Sequence, residues 1–152
     1  MSSTRFTLDS NILVYATDRR DSARHDAAIE IIARAANRDC MIMVQTFAEF
    51  FHVVTRKGFV PRVEAAAQVH RWATAFTVSA GASAAALISA MEASAAGRFQ
   101  FYDALLLATA RDAGCTAVIS EDMAHGAELD GVRVVAAFDP RGTIGADAMA
   151  LL

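Results

Sequence analysis

The sequence predicts an α/β protein built in three layers, with helices on both faces of a central parallel sheet of four to five short strands. Three observations lead there. Short β-type runs alternate with longer helical ones along the whole chain. At 152 residues the chain has the length of one compact domain, read as spanning 1–152. With 55% hydrophobic and 20% charged residues it has the means to bury a core, which excludes intrinsic disorder.

Phe6-Thr7-Leu8 reads as the first strand, and Asn11 to Thr17 as a helix entered through Ser10 or Asn11 as cap. Ser22 to Asn37 keeps helical spacing through Ile29, Ile32 and Ala33. Met41 to Val44 reads as a buried strand. Gln45 to Lys57 follows as an amphipathic helix with Phe47, Phe50, Phe51 and Val54 at i, i+3, i+4 and i+7, stopped by Gly58. Pro61 opens the next helix, which runs to about Ala75. Phe76 to Val78 is a candidate short strand. A helix over 82–96 ends before Gly97, and another runs from about Tyr102 to Ala113, ended by Gly114. Ala117 to Ser120 and Arg133 to Ala136 read as the last strands.

Several kinds of chemistry lack their residues. No Gly-rich turn follows the first strand, so a dinucleotide or P-loop phosphate cradle is missing. There is no GxSxG elbow and no HExxH. A receiver-type aspartate would need a lysine at a later strand end, and the single lysine is Lys57 in a helix end. A dehalogenase-like phosphatase would need a second Asp at position 11, which is Asn. Cys40 and Cys115 stand far apart without metal spacing and read as small buried thiols of a reducing compartment. No export signal and no membrane-spanning run is legible, so a soluble cytoplasmic domain is expected.

What remains is carboxylates. Asp9 directly follows the first strand, and Asp122 follows the strand ending at Ser120, both at carboxyl ends where open parallel sheets bind ligands. Taken singly, Asp9 fits a helix cap and Asp122 a surface turn equally well. Asp103 shares the face of Leu106, Leu107 and Ala110, which puts a carboxylate on a buried stripe near a helix start. There it must be paired, bound to a cation, or serve as an N-cap. Glu49 lies opposite the Phe stripe of its helix, with Gln45, His52 and Arg56, on a polar face that either borders a cleft or simply meets solvent. Together the four form an acidic cluster. Carboxylates crowded together do not all ionise cheaply without a cation, and oxygen-only ligands favour Mg²⁺ or Mn²⁺. Such ions hold a phosphodiester and activate water.

LDSNILVYA (8–16), QTFAEFFHVVTRK (45–57), FYDALLLATA (101–110) and SEDMAHG (120–126) together resemble the ordered acidic motifs of PIN domains. The nearest likeness is to the toxin ribonucleases of VapBC toxin–antitoxin pairs, and it spans nearly the whole chain. The resemblance implies Asp9, Glu49, Asp103 and Asp122 as catalytic, metal-binding acids, with Asn11 and Ser120 as orienting groups. It further implies RNA cleavage with Mg²⁺ or Mn²⁺, a homodimer, and a VapB-like antitoxin whose tail covers the site. Glu121 competes with Asp122 for the fourth place. Alternatives from the same fold are a nuclease acting on DNA or in RNA processing without an antitoxin, and an inactive binding module. The family often ends its last strand with Asn-Pro-Phe, whereas this chain has Phe138-Asp-Pro140.

The four histidines, His25, His52, His70 and His125, lie on separate elements and read as solvated or packing residues. Trp72 reads as core or interface, with base stacking as the alternative. Arg56, Lys57 and Arg62 flank the Glu49 helix and are the best phosphate-binding candidates from sequence. Fourteen Lys plus Arg against 17 Asp plus Glu give a net charge of −3, which argues against a surface coated in basic charge. Setting the four clustered acids aside leaves thirteen acids, and the remainder of the chain carries +1. The acidity is partly a concentrated cation trap.

Overall fold

The computed structural model describes residues 3–56 and 58–152. Lys57, named above as a phosphate contact and as the end of its helix, lies outside the described residues. In chain order the elements are β1 (Phe6–Leu8), α1 (Ser10–Tyr15), α2 (Ser22–Ala35), β2 (Met41–Ile42), α3 (Val44–Arg56), α4 (Arg62–Ala75), β3 (Thr77–Val78) and α5 (Ala84–Ala95). Then come α6 (Phe101–Asp112), β4 (Ala117–Ser120), β5 (Glu128–Leu129), β6 (Val132–Ala136) and α7 (Ala146–Leu151).

A four-stranded sheet runs β1-β4-β6-β5, and β2 pairs with β3 beside it. A single parallel bridge between Phe6 and Cys40 links the two sheets. β1, β4 and β6 are mutually parallel, with Leu8 opposite Ile119 and Ser120 opposite Ala136. The sheet is mostly parallel rather than wholly so, because β5 returns antiparallel onto β6. β5 and α7 escape the sequence pattern: each is too short to express a periodicity. Val44 belongs to α3, not to the preceding strand, which ends at Ile42.

Alternation along the strands feeds two cores. Phe6, Leu8, Ala117, Ile119 and Val135 pack with α1 to α4 and α7, whereas Val118, Val132 and Val134 pack with α5 and α6. The expected helix–sheet–helix layering results. On α3, Phe47, Phe50 and Val54 are buried as their spacing requires. Trp72 sits edge-on to Phe50 at 4.9 Å between ring centres and is 8% exposed, so it is a core residue and not a stacking platform. Cys40 and Cys115 are free and buried, and burial raises both thiols, Cys115 to about 11.

Candidate active site

The parallel strands set the site's position. β1 and β4 end side by side, and the chain turns there into Asp9 and the 121–126 turn respectively. Asp9 is the N-cap of α1, a correction to the expected Ser10 or Asn11: its carboxylate accepts from the Ser10 amide at 2.7 Å, and the helix begins one residue earlier than the pattern indicates. Thr46 donates its hydroxyl to the Leu8 carbonyl at 3.1 Å, pinning α3 against the end of β1. That pin brings Glu49, one turn further on, to the same sheet edge.

Asp9 is 5% exposed. The Ser120 hydroxyl donates to its Oδ2 at 2.7 Å. Burial lifts its carboxyl to about 7, and the charges of Asp122 and Glu49 push the same way, while the bonds from Ser120 and Ser10 oppose the rise. Glu49 accepts from the Ser10 hydroxyl at 2.9 Å and from the Gln45 amide at 2.7 Å. Gln45 also donates to the Tyr102 carbonyl at 2.8 Å, tying α3 to the first turn of α6.

Asp122 is exposed and accepts from the Asn11 amide at 2.8 Å. Its Oδ1 is also 3.2 Å from the Ser120 hydroxyl, whose single proton is directed at the closer Asp9. Asp103 is partly buried in the first turn of α6, whose N-cap is Gln100, so Asp103 is not the cap. Burial raises its carboxyl, followed by the charges of Asp122 and Glu49. Asp9 and Asp103 thus feel the same two neighbours, and the four acids share one field.

Glu121 is engaged elsewhere. It accepts from Tyr15 and from Arg24, each at 3.1 Å, whereas Asp122 accepts from Asn11 and shares a groove with Asp103. Burial, followed by the Glu121 bond, pushes the Tyr15 hydroxyl up to about 12. Arg56 lies exposed two turns beyond Glu49 on α3, and among the described residues it lines none of the grooves at the acids. Arg62 opens α4, exposed and likewise outside these grooves.

Three grooves meet at the cluster. One runs between Asp103 and Asp122, a second passes Glu49 and Asp103 along His52 and Tyr102, and a third passes Asn11 and Asp122 toward Arg20 and Phe59. Among the described residues, no three His, Cys, Asp or Glu side chains converge into a ready-made cage for an ion. The acids are instead spaced by the hydroxyls and amides of Ser10, Asn11, Gln45 and Ser120. The donor set still suits a hard divalent cation: every carboxyl oxygen is a hard ligand, and two of the acids are held above their ordinary range by burial and mutual repulsion. Mg²⁺ keeps several waters and takes few carboxylates, so an open site fits it.

Sequence reasoning passed over Ser10 as a bridge between acids. It also missed the Tyr15–Glu121–Arg24 group. Ser10 was visible only as a possible cap, and nothing in its spacing points to Glu49.

A mostly parallel sheet that gathers four acids from separate elements at its carboxyl edge defines a class of α/β domain with an acidic centre. The PIN domain family model matches residues 6–126, and the chain belongs to that family. Solved structures share the fold. VapC20 of Mycobacterium tuberculosis, described as a sarcin-ricin loop cleaving toxin, is 19% identical over 74% of this chain and 86% of its own, with a TM-score of 0.59. VapBC2 from Rickettsia felis, bound to a promoter DNA fragment, is 16% identical, covering 86% of this chain and 97% of its own, with a TM-score of 0.60. DNA-bound VapBC from Salmonella typhimurium is 17% identical, covering 86% and 96%, with a TM-score of 0.61. No curated protein matches the chain.

Proposed function

We propose that this chain, acting as a single domain over 1–152, is a metal-dependent endoribonuclease, the toxin of a type II toxin–antitoxin pair of the VapBC kind. The observation that carries the reading is the convergence of Asp9, Glu49, Asp103 and Asp122 on one sheet edge, with Asp9 buried and raised to about 7. An isolated buried carboxylate is costly, and a cation is the partner that this arrangement of oxygens suits.

In this mechanism the four acids hold Mg²⁺ or Mn²⁺, which when bound supplies charge neutralisation, a grip on the phosphodiester and an activated water. The chain's own groups do the positioning. Ser120 and the Ser10 amide fix both oxygens of Asp9. Asn11 steers Asp122 and Gln45 steers Glu49, as outer partners steer ligands in metal sites generally. Arg56 takes an outlying backbone phosphate.

A VapB-like antitoxin is the proposed protein partner, supported by the VapBC complexes among the structural neighbours. A homodimer belongs to the same reading; exposed Leu87, Ile88 and Met91 on α5 offer apolar surface for protein contacts. The proposed site of action is the cytoplasm. No helix among the described residues is long and apolar enough to cross a membrane. Intact acids at all four positions weigh against an inactive binding module.

The test is cleavage. Purified protein should cut RNA in Mg²⁺ or Mn²⁺ and stop in EDTA. Asp9→Asn should lower the rate at least 100-fold, beyond the roughly 10–100-fold typical of outer partners. An Asp9→Asn variant as fast as wild type overturns the assignment. A short reading frame for a DNA-binding antitoxin beside the gene separates the toxin from a processing nuclease.

A further inference from the structure

Two of the grooves leave the acid cluster past arginines, and the arginines differ. On the side of Asn11 and Asp122, Arg20 is locked in a fork with Asp18, at 2.9 Å from Nε and 2.6 Å from Nη2, and stacks on Phe59 at 4.3 Å. Arg24 beside it is held by Asp21 and Glu121. Their charge is already matched by carboxylates.

On the other side lies Arg98, in a groove of about 360 Å³ with Phe99, Gln100, Met123, Asp103 and Asp122. Among the described residues it forms no ion pair, although two carboxylates line its groove. Its position is nevertheless fixed twice over. Gly97 takes a left-handed φ of +72° after α5, so that the Gly97 amide reaches the Ser94 carbonyl and the Arg98 amide the Ala93 carbonyl, at 2.9 and 3.1 Å. This 5→2 and 6→1 pair is the Schellman closure, which glycine adopts without steric cost. At the far end Nη2 donates to the Glu128 carbonyl of β5 at 3.1 Å. The guanidinium centre lies 5.9 Å from the Phe99 ring. A guanidinium has five N–H donors, so most of the fork is left for a ligand, and its geometry matches two phosphate oxygens. The groove has the volume of a small ligand.

Resting on the ribonuclease reading above, we propose that Arg98 is a substrate-positioning residue that grips a backbone phosphate of the RNA next to the acid cluster. The strand therefore crosses the acids toward α6 and the 122–127 turn, not toward Arg20. A cation bound by the acids would offset their charge, leaving the phosphate as the partner for the guanidinium. Arg98 was not among the phosphate candidates legible in the sequence, because its approach to Asp122 depends on where α5 ends and where β5 lies.

The experiment measures RNA binding apart from cleavage. A fluorescent single-stranded oligouridylate is titrated in Mg²⁺ against the Asp9→Asn protein, which prevents turnover, between 50 and 200 mM salt. Adding Arg98→Ala should weaken binding about five- to tenfold and flatten the log–log salt dependence by about 0.7, the loss of one phosphate contact. Arg98→Lys should restore the salt slope, since it returns the charge. Arg34→Ala, in the last turn of α2 and outside the grooves at the acids, should leave both unchanged. Unchanged binding in Arg98→Ala, an equal loss in Arg34→Ala, or no measurable binding by the parent would overturn the proposal. If wild type cuts RNA while Arg98→Ala binds like its parent, only the phosphate contact fails. If wild type cuts nothing in any metal yet binding depends on Arg98, only the ribonuclease reading fails.

Discussion

The acid cluster has an inner and an outer half, and the two are built differently. Asp9 is buried, held on both oxygens by the Ser120 hydroxyl and the Ser10 amide, and titrates near 7. Asp122 is exposed on a turn, Asp103 partly buried on a helix, and Glu49 shared between Ser10 and Gln45. The inner acid is fixed by the sheet and by secondary-structure ends. The outer ones are supplied by the elements around it, and Asp122 and Glu49 act on Asp9 through their charge. The contrast teaches where the cost of the site lies: in desolvating one carboxylate, with the others raising that cost until a cation arrives.

The largest expected effect follows from the inner acid alone. Its carboxyl titrates near 7 in the folded chain and near 3.8 in the unfolded one. Between those values the unfolded chain has released its proton and the folded chain has kept it, so stability falls as pH rises. The loss approaches about 4 kcal/mol by pH 7 and then levels off. Urea unfolding in EDTA from pH 4.5 to 8 should show that decline, and Asp9→Asn should flatten it. Stability that holds or rises across the window would mean the inner acid is not held protonated.

Next comes the hydroxyl that joins the halves. Ser120→Ala removes the 2.7 Å donor to Asp9 and should lower metal affinity and cleavage roughly 10–100-fold. The bond holds the ionised form, so the acid limb of the pH–rate profile should also move to higher pH. An unshifted profile would show that Ser120 acts only through packing.

The smallest effect is expected on the outer side. Asp103→Ala removes a crowded carboxylate that caps nothing, so metal-free stability should stay level or rise by about 1 kcal/mol. A clear loss in a thermal scan would mean that its place in the first turn, where an acid favours the helix dipole, outweighs the crowding.

The sequence made the four acids easier to see than the contacts around them. β1, α3, α6 and β4 were legible because Phe6 to Leu8, the Phe47/Phe50/Val54 stripe, the Leu106/Leu107/Ala110 face and Ala117 to Ser120 carry strong periodicity or apolar runs. Asp9, Asp103 and Asp122 could be placed at element ends by counting, and Glu49 on the polar face of its helix. Asp9 as cap was misassigned by one or two residues, since Asp, Ser and Asn in succession all suit that role. The choice between Glu121 and Asp122 was not legible, because it rests on Arg24 and Tyr15 reaching across about a hundred residues of chain. β5, α7 and the groove of Arg98 were likewise hidden, being products of packing between elements distant in sequence.

The central claim is that these four carboxylates are a cation site, and calorimetric titration with Mn²⁺ at pH 6, where Asp9 still holds its proton, tests it most directly. Wild type should bind with release of protons, because Asp9 gives up its own on taking the ion. Asp9→Asn should bind at least tenfold more weakly and release fewer protons. No heat beyond dilution from the wild type, or equal binding by Asp9→Asn, would contradict the account.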